Sequence, residues 1–408
     1  MEMTDIIEEQ LKPIFKQIDE IEFMNQQKVL HAFQKHQVAD SDFHPTTGYG
    51  YDDFGRDKLE SVYAAVFGTE DALVRPQLVS GTHAISTALF GVLRPNDELL
   101  YITGKPYDTL EQVIGANKNV PGSLTDLGIT YQHVPLKEGN VDMSAVKHML
   151  SSKTKVIAIQ RSKGYDDRPS IDVMSIKEII ERIRSWGYNG IIFIDNCYGE
   201  FVETIEPTDI GADLMAGSLI KNPGGGIVRI GGYIVGNANL IKKASYRLTA
   251  PGIGKEVGAS IGMLQEMYQG FFMAPHIVSQ ALKGAIFTSA YLTKLGFQTT
   301  PHYQSKRTDL IQSVTFDTAE QMVRFCQTIQ KQSPINSHVT PYPAPMPGYT
   351  SDVIMAAGTF IQGASLELTA DGPIREPYTA FVQGGLTYSH VKNAVIEASK
   401  QLKEPSKL

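Results

Sequence analysis

Along the chain, apolar and polar positions fall into three regimes. Over residues 5–37, Ile6, Ile7, Leu11, Ile14, Phe15 and Ile18 recur at helical spacing with acids and lysines between them. This predicts a helix with one apolar stripe, bent or restarted at Pro13, whose ring clashes with the preceding turn. The polar face is acidic, which directs the stripe to the protein body or to another subunit rather than to a membrane surface.

From about residue 70, short apolar runs alternate with helical periods. Runs at 99–102, 156–159, 191–194 and 227–230 read as strands, with a shorter one at 214–216. Helices are predicted over 84–93 and 175–186. Such alternation implies an α/β domain with a mainly parallel sheet covered on both faces. A long helix over 254–295 leads into the third regime. There a strand at 309–316, a helix at 318–331, a proline-rich loop at 341–348, strands at 364–368 and 381–383, and a closing helix at 388–402 give a smaller α+β domain. The predicted organisation is a helical segment (1–50), a large domain (51–290) and a small C-terminal domain (291–408).

Composition narrows the function classes. Hydrophobic content of 42% and charged content of 20% are ordinary for a globular chain of 408 residues. A net charge of −7 and the lack of a basic stripe do not favour a nucleic-acid partner. Two cysteines, Cys197 and Cys326, make no disulfide framework, no CxxC occurs, and no metal site is predicted. Cys197 reads as a small packing residue. The acidic start lacks a signal-peptide pattern and no apolar run approaches the ~20 residues of a membrane span. A cytoplasmic protein is expected.

The candidate chemistry lies at the strand ends, where ligands of parallel sheets sit. Asp195 closes the apolar run 191–194, and Lys221 lies in a turn that continues Asn222-Pro223-Gly224-Gly225-Gly226. A buried carboxylate needs a cationic partner, and a lysine in a glycine-rich turn can reach an aldehyde. Together they suit pyridoxal phosphate: Lys221 for the Schiff base and then the α-proton, Asp195 for the pyridinium nitrogen. Ser80, Gly81, Thr82 and His83 precede the helix predicted at 84–93, where free N–H groups favour an anion; the same fragment reads equally as a Ser/Thr N-cap. Ser218, three residues before the lysine, also reaches towards a phosphate. Tyr107 can stack on a flat ring, with His83 a rival for that place and half-buried packing the alternative. Arg375 is the candidate carboxylate clamp, or else a surface-loop arginine. Tyr51 and Arg56, in an aromatic and glycine-rich loop, can bind a phosphate or simply order a turn.

With these residues in hand, the chain resembles the fold-type-I pyridoxal-phosphate enzymes of cysteine and methionine metabolism. Within them it is similar to the methionine gamma-lyase or aluminium-resistance protein family. The likeness rests on residues 50–56, 80–84, 193–201, 217–226, 362–365 and 371–378, and spans about 45–400. The resemblance implies a cystathionine-lyase-like, transferase-type fold with a large, mainly parallel-sheet domain and a smaller α+β domain. It implies that Lys221 bears pyridoxal 5′-phosphate, that Asp195 holds its ring nitrogen, and that Tyr107 stacks on it. Gly81, Thr82 and Ser218 would hold the phosphate from one chain, and Tyr51 and Arg56 would complete that site from a neighbouring chain, although their spacing departs from the Tyr-x-Arg of better-known lyases. It also implies a homotetramer built from dimers. The expected activity is β- or γ-elimination from a cysteine-, methionine- or cystathionine-like amino acid. An aminotransferase, a racemase or aldolase, or a non-catalytic regulator would share the fold.

Overall fold

The computed structural model describes residues 3–117, 120–166, 168–346, 349 and 351–402. Among these, one sheet contains β1 (Asp71–Arg75), β2 (Glu98–Tyr101), β3 (Thr130–His133), β4 (Thr154–Gln160), β5 (Ile191–Asp195), β6 (Leu214–Ser218) and β7 (Gly232–Gly236). Its order is β1-β7-β6-β5-β4-β2-β3. Neighbours from β3 through β6 run parallel, while β7 is antiparallel to both β6 and β1. A second sheet, wholly antiparallel, contains β8 (Gln298–Thr300), β9 (Gln312–Phe316), β10 (Val353–Ala356), β11 (Thr369–Pro373) and β12 (Tyr378–Gln383) in the order β10-β11-β12-β9-β8. The expected α/β architecture, with its large and small sheets, is therefore present.

The helices are α1 (Met3–Lys35), α2 (Phe54–Val66), α3 (Gly81–Val92), α4 (Asp108–Ile114), α5 (Met143–Met149), α6 (Val173–Ser185), α7 (Ala238–Leu248), α8 (Leu264–Lys294), α9 (Ala319–Lys331) and α10 (Tyr388–Leu402). They cover the large sheet on both faces. The two-residue period of a strand decides which side chains meet which helices. In β5, Ile191 and Phe193 join the cluster around α3 and α7, whereas Ile192 and Ile194 join the larger core that includes α2, α6 and α8. Continuing that alternation puts Asp195 on the α3 side. In β6, Leu214 and Ala216 lie on the α3 side and Met215 on the other, which puts Ser218 with Asp195.

Several boundaries differ from the sequence reading. Helix α1 runs unbroken through Pro13. It is pinned along its length to α8 and the large domain: Asn25 Nδ2 donates to the carbonyls of Phe201 and Glu203, Lys28 Nζ to that of Thr204, and Glu22 pairs with His276. Those contacts outweigh the lost bond at the proline. Residues 227–230 are not a strand. Ile227 N and Val228 N both donate to Gly224 O, closing a turn, and the strand begins at Gly232 after Gly231 (φ +126°). Residues 364–368 are irregular chain rather than a strand. Glu367 accepts from the backbone of Phe360 and Ile361, and the strand is Thr369–Pro373. The helix expected from 254 starts at Leu264, because Gly254, Gly258 and Gly262 all have positive φ. In the proline-rich loop, residues 347 and 348 lie outside the described residues. Strands β1, β3, β8 and β10 were not anticipated.

Candidate active site

The carboxyl edges of β4, β5 and β6 gather most of the candidate residues. Ser80 is the N-cap of α3, its Oγ accepting from His83 N at 3.1 Å. The capping alternative is thus realised, and it leaves the remaining amides of the first turn facing the edge of the sheet. Gly81 is pressed against β6: a Cβ there would stand 3.0 Å from the Ser218 Cβ and 3.4 Å from the Cys197 Sγ. Thr82 Oγ1 and Tyr107 OH lie 2.9 Å apart. Tyr107 is the N-cap of α4, and its amide donates to Gln160 Oε1 at the end of β4 (3.0 Å). Burial pushes its phenol well above the usual tyrosine range, helped by Asp195. His83 is turned back on the loop, its Nδ1 accepting from Val79 N at 3.2 Å; burial lowers its pKa.

Asp195 is buried, and one carboxylate oxygen accepts from Cys197 N at 3.1 Å. No helix follows it. Burial pushes its pKa up, against the pull of the neighbouring Lys221. Lys221 follows β6 and precedes a short 3-10 turn over Asn222–Gly224. Its Nζ lies 3.9 Å from the centre of the Tyr198 ring. Burial favours a neutral amine, but the surrounding Cys197, Tyr198, Asp195 and Tyr107 outweigh it and hold the amine above the usual lysine range. Among those four, Asp195 is the one carboxyl group.

Arg375 lies exposed beyond β11. Its charge opposes the upward push that burial gives Asp108, the first residue of α4. It thus faces the α4 start, one residue from Tyr107. Arg56 is buried and engaged within its own chain: its Nη1 donates to Gly50 O (2.7 Å) and Gly258 O (3.1 Å), and its Nε to Asp57 (2.9 Å). Tyr51 is 61% exposed and stacks on Tyr49. Cys197 is buried, and burial pushes its thiol pKa well up.

Three participants escaped the sequence reading. Tyr198 has φ +73°, a left-handed backbone rare for a tyrosine, and this turns its ring towards Lys221. Gln160 fixes the α4 start, as above. Glu200 is fully buried on the other face of β6. An acid two residues beyond a tyrosine in a turn carries no periodic signal, whereas a carboxylate closing an apolar strand does.

The comparisons follow the same outline. The family model for methionine gamma-lyase matches residues 1–403. The uncharacterized protein YnbB of Bacillus subtilis is 63% identical over 97% of this chain and 94% of its own length. A Listeria monocytogenes protein named as involved in aluminium resistance superposes with a TM-score of 0.97 at 59% identity, covering 98% of this chain and 99% of that one. A structure titled as a carbon-sulfur lyase involved in aluminium resistance, from Clostridium novyi, does so with a TM-score of 0.94 at 47% identity, over 98% and 94% of the two chains.

Proposed function

The chain belongs to the methionine gamma-lyase family, and we propose that it is a pyridoxal-phosphate-dependent carbon–sulfur lyase acting on a cysteine-, methionine- or cystathionine-like amino acid. One observation carries the reading. Lys221 follows one strand and Asp195 ends its parallel neighbour, with Asp195 registered opposite Ala216, beside the amino end of α3. Those residues fit the cofactor. The close approach of Gly81 to Ser218 leaves little room for a side chain, and bare amides there suit a phosphate. The buried acid of Asp195 suits a ring N–H.

Bound there, pyridoxal phosphate supplies an aldehyde for an amine and an electron-withdrawing ring. The first turn of α3 with Thr82 and Ser218 would hold its phosphate, Asp195 its ring nitrogen, and Tyr107 one side of its ring. Arg375 would grip the substrate carboxylate in two-pronged fashion. Lys221 Nζ, once freed, would remove the α-proton, with the Tyr198 ring steadying its ammonium form. Departure of the sulfur as a thiolate would then draw a proton from the ammonium that Lys221 Nζ has become. A second copy of the chain is part of this reading. Tyr49 (71% exposed), Tyr51 and Phe54 (76%) stand out from a segment tied to Gly258 through Tyr49 O, and such exposed aromatic side chains suit a covering partner. Tyr51 and Arg56 would serve the phosphate of that partner. Two buried, unbridged cysteines suit a reducing, cytoplasmic setting. None of the described helices is long and apolar enough to cross a membrane.

The test is chemical. Purified protein should be yellow, and borohydride should fix the cofactor on Lys221. Sulfur amino acids should yield a keto acid and ammonia, and Lys221→Ala should lose turnover by orders of magnitude while staying folded. Amino transfer to an added keto acid in place of ammonia release would make the protein an aminotransferase. A colourless protein that gains no colour from added cofactor would end the proposal.

A further inference from the structure

Under the sheet, on the face opposite Asp195 and Ser218, lies Glu200. Its Oε1 stands 2.6 Å from where a Cβ on Gly217 would be, so the bare glycine lets the carboxyl sit directly beneath β6. The surroundings are aromatic: Tyr63 stacks on Phe271 at 3.7 Å and Phe67 on Tyr233 at 5.3 Å, with Phe201 between them. Glu200 Oε1 accepts from Tyr233 OH at 2.7 Å. Glu200 Oε2 is buried without a partner, and so is Asn222 Oδ1. The backbone carbonyl of Glu200 accepts from Asn222 Nδ2 at 2.9 Å, and Asn222 is the residue after Lys221.

The titratable groups facing Glu200 come from four elements. They are Tyr63 on α2, Tyr233 on β7, Cys197 and Glu206 in its own turn, and Lys221 after β6. Glu206 is a second acid and claims Arg161, 3.6 Å away. Lys221 lies against Asp195 and Tyr198 instead of hydrogen-bonding to Glu200. A charged carboxylate whose single side-chain partner is a phenol, in an aromatic core, costs several kcal/mol more than a neutral one. A proton on Oε2 removes that charge from the buried, unpartnered oxygen.

We propose that Glu200 is carried as an un-ionised acid and acts as a positioning residue, bracing the turn that carries Tyr198 against β7 through Tyr233 and leaving Asp195 as the anion that Lys221 faces. The role at Lys221 rests on the reading above; the protonation of Glu200 does not. The direction of its titration agrees, since burial pushes this carboxyl up to about 8.

The experiment uses wild-type protein, Glu200→Gln and Glu200→Ala, each loaded with pyridoxal phosphate. The infrared carbonyl band of a carboxylic acid should be present in the wild type at neutral pH and missing from Glu200→Gln. The pH at which the bound cofactor changes colour should move by well under one unit in Glu200→Gln, because a neutral group replaces a neutral group. Glu200→Ala should lose turnover ~10-fold or more, with the glutamine restoring most of it. A missing acid band, with a fall of one unit or more in the colour-change pH of Glu200→Gln, would make Glu200 an anion and overturn the proposal. An alanine variant matching the wild type in turnover would overturn the bracing role. Should Glu200→Ala fail to fold, the glutamine variant still decides the charge. A wild-type protein that takes up no cofactor would sink the earlier reading, and the infrared band would still decide Glu200.

Discussion

At the scale of single residues, Gly81 governs how near a ligand can come. A methyl group there meets Ser218 Cβ at 3.0 Å and Cys197 Sγ at 3.4 Å, so its neighbours must yield by a few tenths of an ångström. They can yield, and the fold should survive. The phosphate cradle should not survive intact, since its amides are the ones displaced. Gly81→Ala is therefore expected to keep its melting temperature within a few degrees and to bind pyridoxal phosphate ~10-fold or more weakly. Absorbance titration measures this, and an unchanged affinity would remove Gly81 from the cradle. The residues that were legible in the sequence are those whose type conflicts with their surroundings. Asp195 is an acid closing an apolar run, and Lys221 a cation among glycines. Tyr198 and Glu200 conflict with nothing nearby in sequence. Their importance comes from a left-handed backbone and from the opposite face of a strand, both of which need the folded chain.

At the scale of elements, β4, β5 and β6 were legible because both faces of each are buried, which writes a continuous apolar run. β1 and β3 were not, since Asp71-Ala72-Leu73-Val74-Arg75 and Thr130-Tyr131-Gln132-His133 begin or end on polar groups at the rim of the sheet. What locks the carboxyl edges together is a polar network that periodicity cannot reveal. Arg161, just past β4, is wholly buried; it donates to Asn196 Oδ1 (2.8 Å), Gly199 O (2.9 Å) and Glu203 Oε1 (2.8 Å) and lies 3.6 Å from Glu206. It thereby ties the end of β4 to the turn that carries Tyr198 and Glu200. Arg161→Ala would strand buried carboxylates and should cost about 3–5 kcal/mol, read as a lower urea midpoint. Arg161→Lys should recover only part, because one ammonium cannot make a planar fork of bonds. A loss below ~1 kcal/mol for the alanine variant would show that the network is solvated and carries little.

Over the whole molecule, buried carboxyls set how stability varies with pH. Asp53, Glu60 and Asp172 are held below their ordinary range by hydrogen bonds and nearby cations that overcome burial. Their contribution is present above the unfolded pKa and disappears as pH falls through the folded one, which gives an acid limb. Asp371 and Glu200 act in the opposite sense. Asp371 faces Tyr165 and Gln383 from β11, and burial pushes it up to about 6 from 3.8; Glu200 rises to about 8 from 4.5. For a raised carboxyl the folded state binds the proton more tightly than the unfolded state. The stability it brings is complete below the unfolded pKa and is lost as pH climbs through the folded one. For Asp371 that window runs from about 4 to about 6 and amounts to something on the order of 3 kcal/mol. Stability should therefore peak on the acid side of neutrality and decline towards pH 8. Asp371→Asn should flatten the decline between about pH 4 and 6, and Glu200→Gln the part that continues to about 8. Urea midpoints taken at each pH and subtracted from the wild type cancel every other titrating group. If the two variants run parallel to the wild type across both windows, then these acids are ionised in the fold and the assignment of Glu200 as an un-ionised acid fails with them.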